Sequence, residues 1–106
     1  MADLRRLEAE RDSSLRAYAA ELRQALIEWE QAGAQLDQFD RELLPLARER
    51  SRAALAAYRS GAADLRLAVD ALQDEIDLLI ERAELANTRG SAWAYLRYLE
   101  ARQLPG

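Results

Sequence analysis

From Leu15 onward, apolar side chains recur at alternating intervals of three and four: Leu15, Tyr18, Leu22, Ala25, Trp29, Ala32, Leu36, Phe39, Leu43 and Leu46. That rhythm lays one stripe along one face of a helix. Leu4 and Leu7 stand out of phase ahead of it, beyond the polar "EAERDSS", so the first residues are expected to be helical but outside the seam. A second run has the same rhythm: Leu65, Val69, Leu72, Ile76, Leu79, Ala83, Ala86, Gly90 and Trp93. Leu26, Leu78, Ile80, Leu85 and Leu96 flank the two seams and add apolar surface. No segment alternates with period two, so no strand is expected.

The two runs are separated by "YRSGAAD". Gly61 can adopt the left-handed conformation that ends a helix. Asp64 then sits where the dipole of a starting helix favours negative charge. The pattern predicts an all-α fold, a long antiparallel two-helix hairpin resembling a coiled coil, as one domain over residues 1–106. Its parts are a helix over about 3–59, a turn at 60–62 and a helix over about 63–100, with "LPG" ending the chain. Pro45 within a helix removes a backbone hydrogen bond and clashes with the preceding turn, at about 3 kcal/mol. Leu44 would be a poor cap for a fresh helix, and the apolar register continues from Leu43 to Leu46. One helix kinked at Pro45 is therefore expected. Ser14–Arg59 spans about 69 Å and Ala62–Leu99 about 57 Å, so the first arm overhangs. Gly90 weakens the second arm by about 1 kcal/mol relative to alanine. A lone hairpin leaves apolar surface open, which calls for partner helices or self-association.

Composition narrows the function. Half of the residues are apolar by the broad count, with only two prolines and four glycines, the balance of long helices. All 15 basic residues are arginine, set against 19 acids for a net charge of −4. That balance argues against a nucleic-acid binder, which needs a basic excess on one face. Histidine and cysteine are absent and the sole methionine is Met1, so a metal site would have to be built from carboxylates. No metal or other cofactor is implied. A nucleophile–base pair in a concave pocket is not in sight, so no enzyme is expected. The charged N-terminus cannot be the apolar core of a signal peptide, and no run reaches the roughly 18 apolar residues of a membrane span. On these grounds the chain is expected to be soluble.

Two charged stripes stand out. Asp70, Asp74, Asp77, Glu81 and Glu84 recur at four, three, four and three, which gathers them on one helix face. Such a stripe is most often the solvated face of a coiled coil, and otherwise a wall facing a cation-attracting space. Arg41, Arg48, Arg52 and Arg59 share a broad outer face of the first arm. At the turn, Tyr58 either packs back on Leu55 or Leu65 or stands at the tip as a gate or anchor. Trp29 and Trp93 fall on the seams as packing residues.

The stretch "LLPLARERSRAALAAYRSGAADLRLAVDAL", Leu43 to Leu72, resembles the second helical repeat of TolC-type outer-membrane efflux proteins: a proline, an alanine-rich helix, Tyr-x-x-Gly, then a Val-Asp-Ala element. "AWAYLRYL", Ala92 to Leu99, is similar to the closing segment of the heavy-metal efflux branch. The resemblance implies a periplasmic tunnel segment of a trimeric outer-membrane duct, within a tripartite export system of the resistance-nodulation-division type that could serve metal cations. It implies partners, a periplasmic adaptor and an inner-membrane pump, and a periplasmic place for this segment of an outer-membrane parent. Tyr58 matches an aperture tyrosine, Gly61 the tip glycine and Asp70 a constriction aspartate, while Asp74, Asp77, Glu81 and Glu84 would face the channel. Ala63 and Leu67 stand where some members carry an arginine and a further aspartate. The alternatives are a generic antiparallel coiled-coil interaction module and the helical hairpin of a periplasmic adaptor.

Overall fold

The computed structural model describes residues 2–103. These are helical except for the turn at 60–64, and they form an extended body of 87 × 24 × 17 Å. The "LPG" terminus lies outside the described residues. The first arm comprises α1 (Ala2–Gln38), a π-helical segment (Phe39–Leu43) and α2 (Leu44–Arg59); the second arm is α3 (Leu65–Gln103). A continuous arm from Ala2 to Arg59 is about 87 Å long at 1.5 Å per residue, which accounts for the whole length of the body. Early residues of the first arm meet late residues of the second. Tyr18 donates its hydroxyl to the Leu99 carbonyl, Tyr95 bonds Glu21, Arg82 bonds Asp40, and Ser51 bonds Glu75. The first arm overhangs, as expected, and residues 2–17 are exposed throughout.

The turn follows from local chemistry. Gly61 takes a φ of 80°, which a residue with a Cβ adopts only with strain. Its N–H donates to the Tyr58 carbonyl and that of Ala62 donates to the Ala57 carbonyl at 2.8 Å. This pair of bonds is the Schellman motif that satisfies a helix's last carbonyls. Asp64 then caps α3, its Oδ1 accepting from the Leu67 N–H at 3.2 Å. The turn thus runs through 64, and α3 begins slightly later than the pattern indicates. Beyond Gly90, α3 continues unbroken to Gln103.

Leu15, expected at the start of the seam, is 52 % exposed because it lies on the overhang, and the seam departs from expectation in two further regions, each for a physical reason. Directly before Pro45 the chain widens into a π-helical turn, and the Leu44 N–H reaches back to the Phe39 carbonyl. A π turn holds one extra residue, so it advances the face that follows by one position. Ala47 is therefore buried and Leu46 stands 45 % exposed, where the heptad phase placed Leu46 in the seam. The larger difference is in α3. The face turned to the first arm runs Ala68, Ala71, Glu75, Leu78, Arg82, Leu85, Arg89, Ala92, Leu96 and Leu99, all buried or half-buried. This is a heptad as regular as the expected one, displaced by one residue, or 100° of rotation. Leu65, Val69, Leu72, Ile76 and Leu79, expected inside, are 40–54 % exposed, while the flank residues Leu78, Leu85 and Leu96 point to the first arm. Each charged member of the inner face has a partner across the seam. Glu75 takes the Ser51 hydroxyl, Arg82 takes Asp40, and Arg89 lies 4.8 Å from the Trp29 ring centroid. Small residues opposite them, Ala25, Ala32, Ala47 and Ala54, let the backbones approach.

Candidate functional site

The rotation of α3 divides it into three faces. One carries the inner heptad against the first arm. About 120° away in one direction is the open apolar stripe of Leu65, Val69, Leu72, Ile76 and Leu79. About 120° away in the other are Asp70, Asp74, Asp77, Glu81 and Glu84, all exposed. The apolar stripe continues onto the first arm through a groove of about 150 Å³ lined by Ser51, Leu55, Leu65, Ala68, Val69 and Leu72. On the acidic side, Asp74 edges an apolar groove of about 120 Å³ with Leu43, Leu46, Ala47, Arg50, Ala71 and Leu78. Glu81 and Glu84 edge a shallower groove with Gln35, Phe39, Leu85 and Thr88.

The tip and the acidic stripe are distinct places. Tyr58 and Gly61 are joined by the backbone bond that closes the turn, and the Tyr58 side chain is 42 % exposed. Asp70 sits on the acidic face, and its cation is Arg66 one turn earlier, at 4.0 Å. At such exposure this pair contributes little. Asp77 accepts a bond from Gln73 at 3.0 Å. Among the described residues no group of three or more carboxylates converges as a metal site. No helix among them is long and apolar enough to cross a membrane.

Polar chemistry is concentrated in the seam. Arg82 grips Asp40 with a two-pronged bond, Nε to Oδ1 at 2.5 Å and Nη2 to Oδ2 at 3.0 Å. That bond holds the Asp40 carboxyl below its ordinary pKa and raises that of Arg82. Above this clamp lies the Trp29–Gly33–Arg89 cluster. A Cβ at Gly33 would come within 3.3 Å of Arg89 Nε, close enough that the guanidinium beside the tryptophan would have to shift by a few tenths of an ångström. Arg89 Nε is buried without an acceptor among the described residues. Trp93, 52 % exposed, tilts toward Trp29 with ring centroids 6.5 Å apart. At the far end, loss of solvent and the neighbouring Glu21 carboxylate push the Tyr95 hydroxyl above its ordinary pKa. Arg102 bridges to the same Glu21 at 3.6 Å.

None of these cross-seam partners stands out from the apolar pattern. The signal that could reveal them is the seven-residue spacing of Glu75, Arg82 and Arg89, a charged heptad running beside the apolar one. Compared with protein-family models, curated proteins and solved structures, the chain matches none of them.

Proposed function

We infer that the chain is a wall element of a larger helical assembly, in its most concrete form the periplasmic tunnel segment of an outer-membrane efflux duct. The observation that carries this is the three-way division of α3: a face closed on its own arm, an open apolar face and an acidic face. A helix in the wall of a tube has those three surroundings, a neighbour on each side and water in the lumen. The two arms then act as an antiparallel, coiled-coil-like hairpin, bent where Pro45 and the π turn meet. Its tip at Tyr58 and Gly61 contributes to the aperture and docks a periplasmic adaptor, beneath an inner-membrane pump. Asp70 sits just above that aperture, and Asp74, Asp77, Glu81 and Glu84 line the route of a cationic cargo such as a metal ion. The mechanism is passive. The tip helices part, the aperture widens, and cations pass a wall whose carboxylates raise their local concentration. No catalysis is assigned to the chain, and the parent resides in the outer membrane.

The test is electrical. The whole gene product, purified and inserted into planar lipid bilayers, is expected to form cation-selective pores of low conductance. Tyr58→Ala combined with Asp70→Ala is expected to raise that conductance. A gene product that forms no pore, or a pore indifferent to both substitutions, overturns the duct and its gate. A free-standing interaction hairpin is the second reading, favoured by the cross-arm pairs at Asp40, Ser51 and Glu21, which hold the arms together without neighbours.

A further inference from the structure

The open stripe of α3 and the exposed arginines of α2 lie on the same side of the hairpin. Going round α2 from the seam, Ser51 and Leu55 come first, and they line the groove shared with Leu65, Val69 and Leu72. Arg48, Arg59 and Arg52 follow about 20–60° beyond Leu55 at 100° per residue, all three exposed. From edge to edge, that side presents three guanidiniums, an apolar groove and then the stripe. Within about 60° of the stripe's centre, residues 65–84 carry no charged side chain, and the acidic residues lie roughly 100–180° away. Among the described residues Arg48, Arg52 and Arg59 form no salt bridge. Asp40, the carboxylate that feels the charge of Arg48, is already held by Arg82. The fold thus leaves an apolar channel open, with unpaired positive charge along one edge.

Candidate occupants differ in how they meet those two features. A bilayer surface has no ridge to fill a groove, and an anionic one is repelled by the carboxylates on the far side of α3. They stand one helix diameter away, about 10–12 Å, against a Debye length of about 8 Å at physiological salt. Nucleic acid would set its phosphates beside bare leucine and isoleucine. The α3 of a second copy is no match either, because its carboxylates are too far round from its stripe to reach arginines beside the groove. A helix with an apolar seam and an acidic flank meets both features: its side-chain ridge fills the groove and its carboxylates reach the guanidiniums. We propose that the open side is covered by such a helix from a partner chain, its seam on Leu65–Leu79 and its acidic flank on Arg48, Arg52 and Arg59. The stripe is about 21 Å long and the arginines span about 16 Å, so the contact takes three to four turns of the partner. Apolar burial supplies the affinity, while exposed ion pairs contribute little each and fix which helix binds. This deepens the wall-element function by giving the chemistry of one neighbour, and it rests on that function only for the biological setting.

The experiment titrates this chain with two synthetic helical peptides of equal length and identical leucine seam, one flanked by glutamates and one by lysines. The chain's net charge of −4 by itself favours the lysine peptide. Binding of the glutamate peptide about tenfold or more tighter is nevertheless expected, from three local contacts that change from repulsion to attraction. Arg48→Glu/Arg52→Glu/Arg59→Glu is expected to reverse the preference. Arg5→Glu/Arg6→Glu/Arg11→Glu, the same change of net charge on the overhang, is expected to keep it. Leu72→Asn/Ile76→Asn is expected to weaken both peptides about tenfold or more. Circular dichroism should report closely similar helix in all three variants, because every altered position is exposed. Failure of both peptides to bind at roughly 1 mM overturns the proposal. So does a preference that the overhang variant loses equally, or self-association that excludes the glutamate peptide. Binding to phosphatidylglycerol vesicles that depends on the three arginines, without a peptide preference, assigns the side to a membrane and overturns it as well. Pore formation by the whole gene product is read separately, so the duct can fail while the peptide preference holds, and the reverse.

Discussion

The phase of α3 can be decided by comparing two leucines given the same substitution. Leu99 belongs to the inner heptad and is 0 % exposed, whereas Leu72 belongs to the expected seam and is 51 % exposed. Leu99→Ala removes about three buried carbons at about 0.8 kcal/mol each, and a cavity that relaxes only in part brings the cost to about 3 kcal/mol. Leu72→Ala removes the same atoms from a half-exposed site, and alanine is the better helix former, so its cost is about 1 kcal/mol. The difference of about 2 kcal/mol is roughly thirtyfold in the unfolding constant. Urea unfolding followed by circular dichroism measures it, at a concentration where sedimentation shows single chains, with equal slopes for the two variants. Equal costs for the two substitutions would mean that α3 is rotated as the apolar pattern alone indicates, and the three-face division would go with it.

The glycines separate cleanly by the space around them. Gly90→Ala is expected to stabilise by up to about 1 kcal/mol, since a Cβ there meets nothing within 4 Å and the position is mid-helix. Gly61→Ala forces a Cβ onto a φ of 80° and is expected to cost about 1–2 kcal/mol; thermal melts read both. Asp64→Ala removes the cap on α3 and is expected to cost about 1 kcal/mol, with faster amide exchange over the first turn of α3. The pH dependence has two arms of opposite sign. Asp40 is held below its ordinary pKa by Arg82, so its contribution is present above about pH 4 and is lost as pH falls through the folded-state value. Tyr95 is raised, so its contribution is present below about pH 10 and is lost as pH rises through the folded-state value. Asp40→Asn should flatten the acid arm and Tyr95→Phe the alkaline one in melts taken across pH.

The elements were legible in the sequence because helix periodicity and turn chemistry are local. Gly61, Asp64 and the heptad of the first arm from Tyr18 to Leu43 need no tertiary information, and the structure places them as the pattern does; Leu15, expected at the start of that seam, lies on the overhang. The rotation of α3 was not legible, because periodicity reports that a face is apolar and not which neighbour covers it. Two heptads lie one residue apart on this helix, and the more apolar one invites burial. The other wins the first arm because Glu75, Arg82 and Arg89 have Ser51, Asp40 and Trp29 opposite them. Those pairings join residues 24 to 60 apart in sequence, and no local rule connects them. The shift at Leu46 was hidden for another reason. Proline signals a break in hydrogen bonding, but the chain absorbed it as one extra residue in a π turn before Pro45.

The candidate site was legible as residues and not as an arrangement. The four-three spacing gathers the acidic stripe, because its members share a single helix face. What that stripe borders depends on α3's rotation. Had the expected seam closed on the first arm, the acidic residues would have stood alone on the back of a finished hairpin, a solvated face with nothing to do. With the seam turned by one residue, the apolar stripe from Leu65 to Leu79 lacks a cover, and the acidic residues form a separate face about 120° from it around the helix. The polar inner seam and the apolar outer face follow from one rotation: Glu75, Arg82 and Arg89 meet Ser51, Asp40 and Trp29 inside the hairpin, and the apolar residues they displace, Leu65 to Leu79, stand open on the outside.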